Sequence, residues 1–433
     1  MTAAHTSLRV DVLAIVRAGL RAADASALLR RAFDAQRPLD GTVVVVAAGK
    51  ASRAMARVAA ERLGSQIRAG LLVCRPDSVG SGMSIGGFES IAAGHPLPDA
   101  ESERAGRKAL ALAEALEADE TLLVLLSGGT SALLTVPADG LTLDDKRRVT
   151  ERLLMAGADI HALNTVRKHL SAIKAGWLAV RAGGRCLAYA ISDVVGDDPS
   201  VIASGPTVHD SSTYQDALDV LGTHDGLDAY PSAVIGHLEG GAAGRAAETP
   251  KPGDPRLARA RTCVIGTRRD AIEGVVAAAQ CRGYHVVTIE APVVGESRVA
   301  ARRHVSAIAA RAINLPRPLC VVSAGETTVR VAGRGSGGRN QEFVLAALPL
   351  MEMLGASAAL ASIGTDGVDG PTDAAGALAD PATLDRARSA GLESPARYLA
   401  DNNAYAFFAA TGDLIHTGPT DTNVGDLQVV LLA

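Results

Sequence analysis

Short apolar segments alternate with amphipathic stretches along most of the chain. The segments TVVVVAA from Thr42, TLLVLL from Thr121 and CLAYAIS from Cys186 are apolar almost throughout. Such runs are typical of strands that are buried on both faces of a parallel sheet. Helices are predicted between them, for example from Lys50 and over 101–116. The alternation therefore predicts an α/β fold in which helices cover both faces of an open, Rossmann-like sheet.

A stretch without periodicity, GGAAGRAAETPKPGDP, interrupts this alternation at 240–255. Its Gly, Ala and Pro content is typical of a connection. Alternation then resumes with RTCVIG and continues through PLCVVSAG, TTVRVAG and ALASIG to DLQVVLL. We therefore predict a larger N-terminal domain over 1–239, a connecting segment over 240–258 and a smaller C-terminal α/β domain over 259–433. Ligand loops of such sheets follow the carboxyl ends of strands, so the active site is expected in the cleft between the domains.

Composition narrows the class of protein. The 433 residues carry 43 Lys and Arg against 47 Asp and Glu, and only 3% are aromatic, which argues against a nucleic-acid partner. No apolar run reaches the roughly 18 residues that span a bilayer, and charges interrupt the N-terminus where a signal peptide would be apolar. The five cysteines are odd in number and lack CxxC spacing, which indicates thiols in a reducing compartment. The protein is predicted to be cytoplasmic, with no membrane partner.

The first candidate site follows the strand that ends at Leu126. Two glycines there let backbone N–H groups converge on an anion, and the helix that follows adds its positive end. A tight turn capped by Ser or Thr is the alternative interpretation. Anion binding is favoured because two glycines with two hydroxyls exceed what a cap requires. The phosphate-binding candidates are Ser127, Gly128, Gly129, Thr130 and Ser131.

A lysine follows the strand in VVVVAAGKAS. This segment is not a Walker A loop, because Val44 and Ala51 stand where that motif needs Gly and Ser or Thr. Lys50 is either a solvated lysine or the partner of an anion. A cation in the first turn of a helix opposes the helix dipole, which favours an anionic partner.

The segment VRVAGRGSGGRNQEF contains a G-x-G-x-x-G pattern at Gly333, Gly335 and Gly338, between a predicted strand and a predicted helix. That context suits a dinucleotide fingerprint. Arg334 and Arg339 favour phosphate or carboxylate instead, which a guanidinium binds through two parallel hydrogen bonds.

Two acidic loops follow predicted strands, and they contain Asp193, Asp197, Asp198 and Asp366, Asp369, Asp373. Carboxylates at strand ends suit a hydrated Mg²⁺, although Asp-Gly and Asp-Pro pairs also mark ordinary turns.

Two further basic segments have weaker signals. His95 is interpreted as structural. Arg167, Lys168, His169 and Lys174 are interpreted as a mostly solvated helix face, of which one or two members reach the cleft.

These segments, in this order, resemble the glycerate 2-kinase family, whose C-terminal module is called MOFRL. The matching segments are AAGKAS, AGHPLPDAES, LLSGGTSALL, NTVRKHLSAIKAG, ISDVVGDDPSVIASGPT, ETPKPGD, SAGETTVRVAG, GGRNQEF, GTDGVDGPTDAAGA, NNAYAFF and TGPTDTNVGDL. The resemblance implies transfer of the ATP γ-phosphoryl group to the 2-hydroxyl of D-glycerate, with a divalent cation such as Mg²⁺. It also implies that Lys50 and Arg339 are the essential catalytic and substrate-binding residues.

We infer roles for these residues from the chemistry of phosphoryl transfer. Lys50 neutralises developing charge, and Arg339 orients the glycerate carboxylate or the transferring group. The Ser127 loop holds nucleotide phosphates, and Asp193 or Asp366 holds the metal. The alternative role for an aspartate is to accept the proton of the substrate hydroxyl. The alternatives are an NAD(P)-dependent hydroxypyruvate reductase, which the Gly333 pattern supports, and a non-catalytic nucleotide sensor. The expected partners are D-glycerate and ATP. The sequence does not determine the oligomeric state, and it is compatible with a homodimer.

Overall fold

The computed structural model describes residues 3–76, 85–355 and 357–433, with side chains from residue 8 onward. The chain divides into two compact units. The parallel-sheet unit is Leu28–Ile265, and the mixed-sheet unit joins the described residues up to Ala27 with Gly266–Ala433. The domain division predicted over 1–239, 240–258 and 259–433 stays a prediction.

Helix α1 (Ala3–Ala22) is part of the mixed-sheet unit although it begins the described chain. Gly19 lies so close to Leu427 and Val275 that a Cβ at position 19 would overlap both side chains. The sequence reveals no partner for this helix, because its contacts come from residues far along the chain.

The parallel-sheet unit contains six strands among its described residues. In chain order, its elements are α2 (Ala25–Asp34, which begins before the unit boundary), β1 (Val43–Ala48), α3 (Ser52–Leu63), β2 (Ile67–Cys74), β3 (Phe88–Ala92), α4 (Ala100–Glu114), β4 (Thr121–Leu126), α5 (Thr130–Leu133), α6 (Leu143–Met155), α7 (Ile160–His169), α8 (Trp177–Val180), β5 (Arg185–Ile191), α9 (Tyr214–Thr223), α10 (Ser232–Ala242) and β6 (Ala260–Gly266). Short 3-10 helices occur at Gly64–Gln66, Ile202–Ser204, Leu227–Ala229 and Pro255–Leu257.

The strand order of this sheet is β3-β2-β1-β4-β5-β6, and the pairs from β3 to β5 are parallel. Strands β1 and β4 are buried throughout, as their apolar sequences predict. The α/β class with a parallel sheet is thereby confirmed. The strand order reverses direction between β1 and β4, so the loops after these two strands emerge side by side, at the position where open α/β sheets bind ligands.

The mixed-sheet unit has a different architecture. Besides α1, its elements are α11 (Arg268–Gln280), β7 (His285–Glu296), α12 (Ser297–Ala312), β8 (Leu319–Thr328), α13 (Arg339–Ala347), a 3-10 helix (Leu348–Leu354), β9 (Ala358–Gly364), β10 (Gly376–Ala379), α14 (Thr383–Ser389), α15 (Pro395–Ala400), α16 (Ala404–Thr411), β11 (Leu414–Ile415) and β12 (Asp426–Leu432). The strand order is β11-β10-β9-β12-β8-β7, in which β7 and β8 are parallel and the other pairs antiparallel.

One predicted strand is wrong. The segment TTVRVAG was expected to form a strand, but β8 ends at Thr328 and an irregular loop continues to α13. The reason appears below, since this loop is hydrogen-bonded to a second loop instead of to a neighbouring strand.

The mixed sheet carries a buried polar row within its apolar core. Gln428 on β12 lies opposite Ser323 on β8 and Ser362 on β9. All three residues are at most 1% exposed, and Gln428 donates to Ser362 at 3.3 Å. Ser362 in turn donates to Asn340 Oδ1 at 2.6 Å. Because buried polar groups need partners, this row fixes the position of the first turn of α13.

None of the described helices has the length and apolar character that crossing a bilayer requires.

Candidate active site

The loops after β1 and β4 are joined by hydrogen bonds. The Lys50 N–H donates to the Gly128 carbonyl at 2.9 Å, and the Ser127 N–H donates to the Ala48 carbonyl at 3.1 Å. Gly49 has φ +117° and packs so closely on Ser127 that a Cβ would overlap its hydroxyl. This requirement for glycine holds Lys50 beside the Ser127 loop.

Lys50 itself precedes the helix. Helix α3 begins at Ser52 with Ala51 as its N-cap, so the expected conflict between Lys50 and the first helical turn does not arise. Lys50 stays a candidate because of its position at the carboxyl edge of the sheet.

Two hydroxyls of the Ser127 loop form hydrogen bonds with backbone groups of this loop and of the loop after β1. Ser127 Oγ accepts from the Ala51 N–H at 2.9 Å. The Thr130 hydroxyl lies 2.7 Å from both the Ala48 and the Ser127 carbonyl oxygens, to which it donates. Helix α5 is four residues long, so its dipole contributes little. The tight-turn interpretation therefore accounts for these two hydroxyls. The Ser131 hydroxyl is hydrogen-bonded to Ser204 Oγ at 2.9 Å, so the glycine amides stay as the anion-binding candidates.

Three cations surround a cavity of about 170 Å³ in the parallel-sheet unit. We call this the basic cavity. It is lined by His95, Pro96, Pro98, Gly129, Ser131, Ala132, Thr135, Lys146, Thr150, Arg167 and Lys174. The prediction that the segment from Arg167 to Lys174 forms a solvated helix face is wrong, because Lys168 is 7% and Lys174 2% exposed.

Burial changes the acidity of these cations. Desolvation lowers the pKa of Lys146 to about 7 and that of Arg167 to about 10. It also lowers the pKa of Lys174 well below its usual value, and repulsion from Lys146 and Arg167 adds to the effect. The sequence analysis missed Lys146, since LDDKRRV has the pattern of an exposed helical turn.

The neighbouring residues Lys168 and His169 have structural roles. Lys168 Nζ lies 3.1 Å from Asp210 Oδ1, and His169 Nε2 lies 3.1 Å from Glu248 Oε1. Although burial opposes it, hydrogen bonds from His169 and from the Thr249 and Tyr214 N–H groups lower the pKa of Glu248 to about 2. This network ties α7 to the loops around Asp210 and Glu248.

Arg339, the first residue of α13, is held by two carboxylates. Its Nε lies 2.9 and 2.8 Å from the two oxygens of Asp426, and Nη1 lies 2.9 Å from Glu326 Oε1. Burial opposes the charge, but Asp426 and Glu326 raise the pKa of Arg339 above its usual value. The guanidinium is therefore charged and fixed in one orientation. Asp426 and Glu326 were not singled out from the sequence. The available signal was their position, since Asp426 begins the predicted strand DLQVVLL and Glu326 follows the predicted strand PLCVVSAG.

Asp369 caps α13. Its carboxylate accepts from the Asn340 N–H at 3.0 Å and from the Gln341 N–H at 2.8 Å. Burial raises the pKa of Asp369 to about 7 despite these hydrogen bonds. Of the two interpretations of its loop, turn and cap chemistry accounts for this aspartate.

The glycine pattern before α13 serves close packing. A Cβ at Gly333, Gly335 or Gly338 would overlap Asp401, Asn403 or Asp369 respectively. Asn402 Oδ1 accepts from the Ala332 and Gly333 N–H groups, each at 2.8 Å. Because β8 ends well before this loop, the strand-turn-helix context of a dinucleotide fingerprint is not formed.

The two metal candidates lie in different units. Asp193 follows β5 and Asp366 follows β9, and each is partly exposed. Asp366 Oδ1 accepts from the Val368 N–H at 3.2 Å. Within the described residues, no group of three or more His, Cys, Asp or Glu side chains is arranged to hold a metal ion.

Comparisons with known proteins match two separate regions of the chain to family models. Residues 11–239 match the model of a domain of unknown function, DUF4147, and residues 319–426 match the MOFRL family. A D-glycerate 2-kinase from Thermotoga maritima is 39% identical over 394 residues, which are 90% of each chain. A relative from Agrobacterium vitis, with the provisional name of a hydroxypyruvate reductase, is 39% identical and covers 98% of this chain and 99% of its own.

A solved structure of the Thermotoga maritima glycerate kinase aligns with a TM-score of 0.87 and 36% identity, over 99% of this chain and 100% of that one. Both the sequence match and the structural match extend over nearly the whole molecule. The chain therefore belongs to the glycerate 2-kinase family, with a DUF4147 region followed by a MOFRL region.

Proposed function

We propose that this protein transfers the γ-phosphoryl group of ATP to the 2-hydroxyl of D-glycerate, which gives 2-phosphoglycerate and ADP. Its relatives named glycerate kinase share 33–39% identity with it over most of the chain. The observation that carries the mechanism is the fixed, charged guanidinium of Arg339 between Asp426 and Glu326.

Arg339 binds a substrate oxyanion in this proposal. A guanidinium has five N–H donors, and the bonds to Asp426 and Glu326 use Nε and Nη1. Within the described residues, no acceptor is hydrogen-bonded to Nη2. That nitrogen and the second Nη1 proton form a two-donor edge for the glycerate carboxylate or the transferring phosphoryl group.

Lys50 and the Ser127 loop act on the nucleotide phosphates. Phosphoryl transfer has a loose transition state, so positioning and charge stabilisation supply most of the catalysis. Lys50 supplies a point charge that neutralises developing negative charge. Because the Ser127, Thr130 and Ser131 hydroxyls are all engaged in hydrogen bonds within the protein, backbone amides carry the phosphate binding that we assign to this segment.

A divalent cation such as Mg²⁺ is part of the proposal. Mg²⁺ keeps several waters and takes only one or two carboxylates from a protein, so a cluster of three ligands is not required. Asp193 and Asp366 fit this chemistry as partly exposed carboxylates after strand ends, and we propose that one of them holds the ion. The cation would neutralise charge on the nucleotide phosphates.

We infer a reducing, cytoplasmic compartment from the thiols. All five cysteines lie in the described part of the chain and none forms a disulfide.

The test is an assay of the intact protein with D-glycerate, ATP and Mg²⁺, in which 2-phosphoglycerate is separated from 3-phosphoglycerate. We expect 2-phosphoglycerate, and we expect Lys50→Ala to lower kcat by about 10²-fold or more because a charge on the transition state is lost. Lys108→Ala is the matched control, since Lys108 is exposed and pairs with Glu89 on the surface. Absence of any phosphoglycerate would refute the reaction, and near-normal turnover of Lys50→Ala would refute the role of the lysine.

A further inference from the structure

We propose that the basic cavity binds a small oxyanion, the carboxylate or phosphate group of a ligand, through Lys146, Arg167 and Lys174. The three cations come from separate segments: Lys146 from α6, Arg167 from α7 and Lys174 from the loop before α8. Their convergence on one cavity is a property of the fold, because no local pattern relates the three positions.

The two lysines keep donors that their protein contacts do not use. Lys146 is 6% and Lys174 2% exposed. Lys146 Nζ donates to the Leu170 carbonyl at 2.8 Å, and Lys174 Nζ donates to the Ser131 carbonyl at 2.9 Å. An ammonium group has three N–H donors, and no second acceptor for either lysine occurs in the described part of the chain.

The cavity also lacks a counter-charge. None of the described residues that line it is acidic, and none of its three cations forms an ion pair within residues 3–76, 85–355 and 357–433. Glu103 is the acidic residue that acts on Lys146, from outside the lining. A buried cation is costly without a partner, and three of them repel one another. Such a conflict is expected where a ligand supplies the missing charge.

Lys168 provides an internal comparison. It follows Arg167 on the same helix and is as deeply buried as the two lysines of the cavity, yet it has Asp210 at 3.1 Å. The fold therefore pairs a buried lysine with a carboxylate where the role is structural, and omits the carboxylate in the cavity.

Size limits the ligand. One water occupies about 30 Å³, so the cavity of about 170 Å³ has room for roughly five waters or one small oxyanion. Pockets for drug-sized ligands start at about 300 Å³, so a whole nucleotide would extend beyond this cavity. Thr150 lines the cavity and supplies a hydroxyl donor, whereas the Ser131 hydroxyl is hydrogen-bonded to Ser204 Oγ at 2.9 Å. The cavity shares Gly129 and Ser131 with the loop that we assign to the nucleotide phosphates, but the inference depends on the charge of the cavity and not on that assignment.

The test measures binding to the intact protein by calorimetry, without nucleotide or metal. The probes are D-glycerate, inorganic phosphate and, as the uncharged control, glycerol. We expect at least one anion to bind and glycerol not to bind. Binding of glycerate alone identifies a carboxylate site, and binding of phosphate alone identifies a phosphoryl site. If neither anion binds, or if glycerol binds equally well, the proposal is wrong.

Variants connect the binding to the cavity. Methionine keeps much of the lysine volume without its charge, so Lys146→Met and Lys174→Met should each weaken anion binding by about tenfold or more. Lys108→Met on the exposed face of α4 should leave it unchanged. Each of the two cavity variants tests the proposal by itself, so the test requires only that one of them folds. Unchanged affinity in a folded cavity variant, or an equal loss in Lys108→Met, would overturn the assignment.

Discussion

Arg339 and the basic cavity handle buried positive charge in opposite ways. Two carboxylates hold the guanidinium of Arg339, whereas the three cations of the cavity have no carboxylate in the lining. The first arrangement fixes a donor in one orientation and keeps it charged. In the second, burial without a partner charge lowers the pKa values of Lys146 and Lys174, so the protonated forms are costly until an anion binds. The comparison indicates that the protein itself fixes the orientation of the Arg339 guanidinium. In the basic cavity, the ligand has to supply the balancing negative charge.

The largest expected effect comes from removing the cation of the paired site. Arg339→Met leaves Asp426, which is 1% exposed, without its counter-charge. We expect kcat to fall by about 10³-fold or more and the free energy of unfolding to fall by about 3–5 kcal/mol. Steady-state kinetics and denaturant unfolding measure the two quantities.

A double variant separates the two effects. Adding Asp426→Asn to Arg339→Met removes the buried charge. Thr327 and Asn340 donate to different oxygens of Asp426, so the single asparagine oxygen keeps one of these two hydrogen bonds. Stability should recover in part while activity stays lost. Recovery of activity together with stability would show that Arg339 has only a structural role.

The next effect compares two buried lysines. Lys168→Met removes the lysine partner of the buried Asp210 and should lower the free energy of unfolding by about 3 kcal/mol. Lys146→Met removes repulsion and the burial of a charge at the expense of one hydrogen bond, so its change should stay within about 1 kcal/mol of zero. Both are measured by denaturant unfolding in a buffer without phosphate or carboxylate. A larger loss in Lys146→Met than in Lys168→Met would contradict the contrast.

The last effect is a pH dependence, in which each pH unit contributes little. The pKa of Lys146 is about 7 in the folded protein and near its usual 10.5 in the unfolded chain. Between these values the unfolded chain binds more protons, so the free energy of unfolding rises with pH, by at most about 1.4 kcal/mol per pH unit. Below pH 7 both states are protonated and this contribution is flat.

The comparison is made between the parent and Lys146→Met from pH 6 to 9, since the variant lacks the rise. The other charged groups that act on Lys146 or line the cavity are present in both proteins: Glu103, Arg167, Lys174, His95 and His237. Anion affinity of the parent should also fall above pH 7, because the ligand then has to draw a proton onto the lysine. Parallel curves for the two proteins would contradict a depressed lysine pKa.

Local pattern was sufficient for much of the fold. The apolar runs at β1, β4 and β5 predicted buried parallel strands, because burial on both faces leaves no polar alternation. It was insufficient for TTVRVAG, where β-branched residues suggested a strand. There Asn402 satisfies the backbone from a distant loop, so tertiary contacts override local preference.

The chain sequence by itself determined most of the strands and helices, the glycine-rich loop after β4, and the positions of Lys50 and Arg339 next to glycines. These features depend on periodicity and on short motifs, which are local. Tertiary structure alone decided the pairing of charges. Asp426 lies 87 residues from Arg339 along the chain, and Lys146, Arg167 and Lys174 meet without any acidic neighbour in the lining of their cavity. Because electrostatic energy depends on distance and burial, the role of each cation is set only when the fold brings distant residues together.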